Sequence, residues 1–224
     1  MPDQNLRAAI WDVDGTLVDT AELHFQAWVE VALEIRKPFT RADFVATFGR
    51  RNPEIIRQLF DPEASDRWVA ALGARKEELY RDEARRGVTL LPGVRELLAG
   101  LHAAGWRQAV GSSAPRENLD LILRITDTQR YFGAVVSMED TERGKPHPEV
   151  FLTAAAKLGI EPKRCVVFED AVAGVEAAKA GGMKCVAVRF VGHHPKEKLK
   201  AAGADLVAES LETVSMETVQ KLFS

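Results

Sequence analysis

Short apolar runs punctuate the chain at residues 7–11, 107–111, 134–137, 165–168, 185–188 and, more weakly, 205–208. They are mostly continuous rather than alternating, the pattern of strands buried on both faces of a parallel sheet. Helical spacing fills the gaps. Pro92 opens one predicted helix, with Val94, Leu97, Leu98 and Leu101 on one face and Gly105 past its end. Val150, Phe151, Ala154, Ala155 and Leu158 form a second apolar face before Gly159, and Val172, Val175 and Ala178 a third before Gly181. Alternating strand and helix predicts an α/β fold built on a doubly wound parallel sheet.

The stretch 20–87 breaks this rhythm, with several helical patterns and no convincing strand. Leu23, Ala27, Val31 and Ile35 recur near helical spacing, Thr40 caps a helix with Asp43 three residues on, and Pro53 starts one carrying Ile55, Ile56 and Leu59. A long charged helix follows, with Trp68, Val69, Leu72 and Leu79 as its apolar positions. The expected organisation is a catalytic core of residues 1–19 and 88–224, interrupted early by a helical cap at 20–87 that meets it at a cleft.

Composition narrows the partners. Thirty basic against thirty-three acidic residues, with no block of like charge, offer little to a nucleic acid backbone or an anionic lipid surface. No apolar run approaches the ~20 residues of a membrane span, and the first five residues lack the basic start of a leader. Cys165 and Cys185 sit inside apolar runs as small buried hydrophobes. The expectation is a cytoplasmic protein that meets neither membrane nor nucleic acid and shows no obligate protein partner.

Ligands of open parallel sheets bind beyond the carboxyl ends of the strands, so polar residues directly after the apolar runs carry the chemistry. There the sequence places Asp12 and Asp14, Ser112 and Ser113, Lys145, and Glu169 with Asp170. Several acids converging on one face repel one another and are costly to bury unless a cation joins them. Oxygen ligands without a neighbouring His or Cys favour Mg²⁺, which leaves positions for water and a substrate phosphate. Lys145 and the serines then hold phosphate oxygens, and Asp12 attacks phosphorus.

The segments Asp12-Val13-Asp14-Gly15-Thr16, Ser113-Ala114, Lys145-Pro146 and Glu169-Asp170 stand in the order of the motifs of haloacid-dehalogenase-like phosphatases. The chain resembles that superfamily over nearly its whole length, and within it the β-phosphoglucomutase-like branch with an α-helical cap. The resemblance implies a Rossmann-like core, Mg²⁺ as cofactor and a small phosphorylated metabolite as substrate. It implies that Asp12 is the nucleophile and a metal ligand, and that Asp14 is the acid and base and offers its backbone carbonyl to the metal. Asp170 is a further ligand, which Glu169 supports or joins. It also implies that Ser113 and the Ala114 N–H bind the phosphoryl group beside Ser112, that Lys145 neutralises it, and that Thr16 shapes the turn. In the cap, His24 and Lys76 resemble residues that the mutases place near the substrate. The arginine with which those mutases grip a second phosphate falls at Asn52, leaving Arg50 or Arg51 to replace it. That departure favours a phosphatase working through an aspartyl phosphate, with a sugar phosphomutase as the alternative.

Blander readings stand beside these. Asp12 and Asp14 alone fit a solvated turn, Glu169-Asp170 a helix start, and Lys76 an exposed charge. His193 and His194 lack a third ligand at metal spacing and read as a solvated surface pair. Gly144-Lys145 lacks the earlier glycine of a nucleotide phosphate loop, and Ser113 lacks the following glycine of a nucleophile elbow.

Overall fold

The structure, a computed structural model, describes residues 6–224. The first five residues, read above for the absence of a leader, lie outside the described residues. Six parallel strands, β1 (Ala8–Trp11), β2 (Arg107–Gly111), β3 (Ala134–Val136), β4 (Cys165–Glu169), β5 (Lys184–Val188) and β6 (Leu206–Ala208), form one sheet in the order β3-β2-β1-β4-β5-β6. Each apolar run of the sequence forms a strand, with ends that differ from the predicted ones by no more than one residue. The helices are α1 (Ala21–Glu34), α2 (Arg41–Thr47), α3 (Asn52–Leu59), α4 (Asp66–Ala84), α5 (Val94–Ala103), α6 (Arg116–Ile125), α7 (Glu149–Leu158), α8 (Val172–Ala180), α9 (Lys196–Ala201) and α10 (Met216–Lys221).

Alternation of side chains along the strands divides the core into two layers. Ala9, Trp11, Val110, Val166, Phe168 and Val186 face α5, α6 and α10, while Ala8, Ile10, Ala109, Val167 and Cys185 face α7, α8 and α9. Trp11 stacks on Phe168 with ring centroids 4.1 Å apart, a pairing worth ~1 kcal/mol beyond its buried area. Its indole N–H donates to Gln108 Oε1 at 3.0 Å, and Gln108 Nε2 donates to the Leu98 carbonyl at 2.9 Å, so no polar group of the pair is stranded in the core. Strand order reverses between β1 and β4, which pair in register from Ala8 opposite Cys165 to Trp11 opposite Phe168. A crevice opens beyond the carboxyl ends of strands at such a reversal.

Helices α1 to α4 lie between β1 and β2 in the chain and build a core of their own from Trp28, Val31, Phe44, Ile56, Phe60 and Val69. Thr40 and Asp43 form the expected capping box at α2, the Asp43 carboxylate accepting the Thr40 N–H at 2.8 Å. Elsewhere the apolar face differs from the predicted one. Trp68 is 36% exposed, and α4 instead buries Lys76, Glu77 and Tyr80 with Val69 and Leu72. The helix predicted to open at Pro92 starts at Val94. Gly93 adopts φ +82, and a Cβ there would meet the Glu212 backbone nitrogen at 2.2 Å, so the chain makes one further turn first. No helix of the described residues is long and apolar enough to cross a membrane.

Candidate active site

The ends of β1, β2 and β4 and the loop after β3 deliver groups to the crevice. After β1 the chain makes a tight turn in which Gly15 takes φ +84 and its N–H donates to the Val18 carbonyl at 2.8 Å. Asp12 and Asp14 flank that turn. A Cβ on Gly15 would lie 2.1 Å from Asp170 Oδ2, so only glycine lets the Asp170 carboxylate rest on the turn. After β2, the Ser112 hydroxyl accepts the Ala114 N–H at 3.2 Å and orders the turn that leads into α6.

Lys145, in the loop between β3 and α7, reaches under the crevice and is 2% exposed. Its ammonium donates to Asp12 Oδ1 at 2.7 Å and to Glu169 Oε1 at 2.6 Å. Glu169 Oε2 accepts the backbone N–H groups of Asp170 and Ala171, both at 2.6 Å. Both oxygens of Glu169 are therefore committed to the protein. In this arrangement Glu169 clamps Lys145 to the end of β4.

The remaining acids are out of balance with the ammonium of Lys145. Burial pushes the Asp12 carboxyl from 3.8 to about 7, Lys145 pulling it down while Glu169 and Asp14 add to the rise. Asp170 is driven well above its ordinary value, by burial and then by Glu169 and Asp12. Burial alone would lower the pKa of Lys145, but Asp12 and Glu169 outweigh it and hold the ammonium charged. Asp14 differs. Burial would raise it, yet His24 and Thr20 outweigh burial and hold it at about 2. His24 Nε2 lies 3.1 Å from Asp14 Oδ1, and the Thr20 hydroxyl donates to the same oxygen at 2.5 Å. Two carboxylates two residues apart thus have opposed proton affinities before any cation or phosphate joins them.

A hard divalent cation fits this donor set. Asp12 and Asp170 are buried oxygen donors short of positive charge, and Asp170 is packed on the turn that carries Asp14. Among the described residues no group of three or more His, Cys, Asp or Glu side chains forms a metal cage. Two carboxylates and a backbone carbonyl, with the other positions left to water and phosphate, do not need one.

The cleft above these groups encloses about 60 Å³ and is lined on the core side by Asp12, Asp14, Ser112, Ser113 and Ala114. His24, Arg50, Asn52 and Lys76 line the opposite side. Lys145, Glu169 and Asp170 lie beside Asp12 behind the wall rather than in it, and the predicted residues Thr16 and Arg51 do not line the cleft either. Thr16 is fully buried in the turn, its hydroxyl without a partner among the described residues. Arg51 turns from the cleft to the Thr141 hydroxyl and, at 3.1 Å, the Glu142 carbonyl, tying the helical segment to the loop that carries Lys145. Arg50 takes the place in the cleft expected of Arg51. Asn52 lines the cleft, but its amide donates to Glu77 Oε1 at 2.7 Å.

The sequence pattern does not reveal how the groups on the helical side of the cleft pair with one another. Lys76 donates to His24 Nδ1 at 2.6 Å and to Glu77 Oε1 at 2.9 Å, and His24 stacks on Tyr80 at 4.0 Å. Glu77 beside Lys76 was visible as an adjacent opposite charge, but nothing marked that pair as buried. His193 is no solvated surface residue. Its ring packs edge-on against Phe48 and Phe44, at 4.8 and 5.7 Å, with Nε2 buried and unpartnered among the described residues. Burial accordingly lowers its pKa.

A model of the family described as hydrolase, haloacid dehalogenase-like hydrolase, matches residues 6–182. The chain is 32% identical to β-phosphoglucomutase of Bacillus subtilis, covering 96% of this chain and 95% of that protein. It is 33% identical to fructose-1-phosphate phosphatase YqaB of Escherichia coli, covering 81% and 96%. The crystal structure of β-phosphoglucomutase from Clostridium difficile superposes with a TM-score of 0.88 at 25% identity, over 97% of each chain. Other relatives are longer: the chain spans 20% of one chloroplastic protein of Arabidopsis thaliana.

Proposed function

The chain belongs to the haloacid dehalogenase-like hydrolases, and from that premise we propose that it is a Mg²⁺-dependent phosphatase acting on a small sugar phosphate monoester. The observation that carries this reading is the paired geometry at the end of β1. Asp12 lies 2.7 Å from a buried ammonium, and Asp14, held by His24, faces the same cleft. In this proposal residues 20–87 are the cap that covers the cleft, and the protein works in the cytoplasm.

Asp12 would attack phosphorus while Lys145 and the Ser113–Ala114 turn hold the phosphoryl oxygens. The bond to the leaving oxygen breaks as the Asp12–phosphorus bond forms, and Asp14 gives that oxygen a proton. Asp14 is ionised in the resting protein, so this step requires that it first be protonated; a phosphate dianion bound beside it disfavours its charge and favours proton uptake. Asp14 then takes a proton from water, which displaces Asp12 and releases phosphate. Asp12, Asp170 and the Asp14 carbonyl would hold the metal. Its charge would keep Asp12 ionised and offset the phosphate oxygens.

The mutase reading is favoured by the likeness to β-phosphoglucomutase over nearly the full length of both chains. The phosphatase reading is favoured by Asn52, whose amide is committed to Glu77 where a second phosphate would need a cation. Incubation with β-glucose 1-phosphate and a trace of the 1,6-bisphosphate decides between them. Release of inorganic phosphate is expected; glucose 6-phosphate without free phosphate would establish the mutase.

A further inference from the structure

Asn118 lies on the first turn of α6, directly after the Ser113–Ala114 turn, and is 1% exposed. It does not line the cleft. Its amide donates to Glu77 Oε2 at 2.5 Å, and its carbonyl oxygen accepts from Arg81 Nη1 at 3.0 Å. Glu77 and Arg81 are four residues apart on α4 and share one face of that helix. A single core side chain thus clasps two successive turns of the long cap helix.

The clasp continues toward the reacting groups. Glu77 Oε1 accepts from Lys76, and Lys76 donates to His24 Nδ1. A lysine ammonium has only donors, so His24 Nδ1 must accept and Nε2 must carry the ring proton. That N–H is the one placed 3.1 Å from Asp14 Oδ1. The chain Asn118–Glu77–Lys76–His24–Asp14 therefore leaves the core at α6 and returns to it at the acid/base.

We propose that Asn118 is a positioning residue, whose clasp on Glu77 and Arg81 seats the cap and holds the Lys76–His24 pair against Asp14. The proposal rests on the phosphoryl-transfer reading of Asp14. It assigns Asn118 no contact with substrate or metal. Glu77 is 5% exposed; Asn52 and Lys76 donate to its Oε1, and Asn118 is the one donor to its Oε2 among the described residues. Loss of the Asn118 amide leaves a buried carboxylate short of a donor, and the cheapest remedy is to lift α4 and admit water.

The test compares wild type, Asn118→Ala, Asn118→Asp, Glu77→Gln and the double variant Glu77→Gln with Asn118→Asp, in Mg²⁺, on fructose 1-phosphate and on p-nitrophenyl phosphate. An alkoxide needs a proton from Asp14 as it leaves, whereas p-nitrophenolate does not. If Asn118 positions that acid, Asn118→Asp lowers kcat/KM, which reports the steps up to departure of the leaving group, roughly 100-fold on the sugar phosphate and less than roughly 10-fold on the aryl phosphate. The double variant regains at least about five-fold, because the amide introduced on α4 donates to the carboxylate introduced on α6, and that carboxylate still faces Arg81. Equal losses on both substrates, or no recovery in the double variant, would overturn the proposal. Asn118→Ala must show the same substrate asymmetry, and it covers the case in which two facing carboxylates prevent folding. If wild type hydrolyses neither ester, the functional reading fails instead. Hydrogen exchange of segments 14–20 and 85–92 then decides: faster exchange in Asn118→Ala supports the clasp, and unchanged exchange refutes it.

Discussion

Asp12→Asn is expected to stabilise the metal-free protein at neutral pH while removing its turnover. Asp12 is 6% exposed and shares its surroundings with Asp14, Glu169 and Asp170, against the one ammonium of Lys145. Its carboxyl is raised from 3.8 to about 7, so across that interval the folded protein keeps a proton the unfolded chain has already released. A group raised in this way draws stability out of the fold as pH rises from about 4 to about 7. At about 1.4 kcal/mol per pH unit, the whole interval amounts to ~4 kcal/mol. Asparagine does not ionise and escapes that loss. The pull of Lys145 is already contained in that raised value, and Lys145 keeps Glu169 at 2.6 Å in the variant, so the gain at pH 8 is expected at ~4 kcal/mol. Near pH 4 wild type and variant should be about equal. Asp14, held at about 2, loses its contribution only as pH falls through that value and does not disturb the comparison above pH 4.

The assay is urea unfolding in EDTA at pH 4.5, 6 and 8, repeated at pH 8 with excess Mg²⁺. Wild type should lose stability relative to Asp12→Asn as pH rises. Mg²⁺ should restore wild type more than the variant, because a cation that binds the folded state stabilises by mass action and finds one carboxylate fewer in the variant. An Asp12→Asn protein less stable than wild type at pH 8 in EDTA, or a difference that does not vary with pH, would refute the argument that Asp12 is buried without enough positive charge.

Two other substitutions probe the same machinery. In Gly174→Ala the new Cβ would lie 1.7 Å from Glu169 Oε1, so Glu169 must release Lys145; a melting experiment should show a loss of ~2 kcal/mol where an exposed helical Gly→Ala change gains about 1, and activity should fall by roughly 100-fold. Asp14→Asn should cut kcat/KM, which reports the steps up to departure of the leaving group, far more on a sugar phosphate than on p-nitrophenyl phosphate, and an equal fall on both would remove Asp14 from the role of acid.

The core was legible because continuous apolar runs have no other use than strands buried on both faces, and because polar residues after such runs fall together once the strands align. Asp12, Ser112 and Glu169 follow from that rule with their neighbours. Lys145 follows less directly, since it lies nine residues beyond β3 and reaches the site only because its loop folds back. The cap was harder. A buried face bearing Lys76, Glu77 and Tyr80 has the composition of a solvated helix, and only tertiary contacts with His24, Asn52 and Asn118 reveal that its charges are paired. Arg50 and Arg51 differ by one position just ahead of α3, and one step there sends a side chain to the cleft or to the Lys145 loop. Hydropathy carries no record of that choice. His193 escaped for the opposite reason: its partners, Phe44 and Phe48, lie about 150 residues away in the chain.

The charges of the cleft bear on what leaves it. A substrate with a second phosphate needs positive charge on the cap side as well as on the core side. Lys76 is neutralised there by Glu77 at 2.9 Å, Asn52 is engaged by the same carboxylate, and Arg51 is spent on the core loop. Arg50 lines the cleft and forms no ion pair within 4.0 Å among the described residues, but its Nη1 already donates to Gln58 Oε1 at 3.0 Å. Trp28, Phe44, Phe48 and Ile55 supply apolar wall around it. One cation against an apolar wall suits the uncharged hydroxyls and carbon faces of a sugar better than a second dianion, whose desolvation it would not offset. The cap's polar groups are instead turned inward, toward each other and Asp14. That distribution supports hydrolysis of a monoester over transfer between two ends of a bisphosphate.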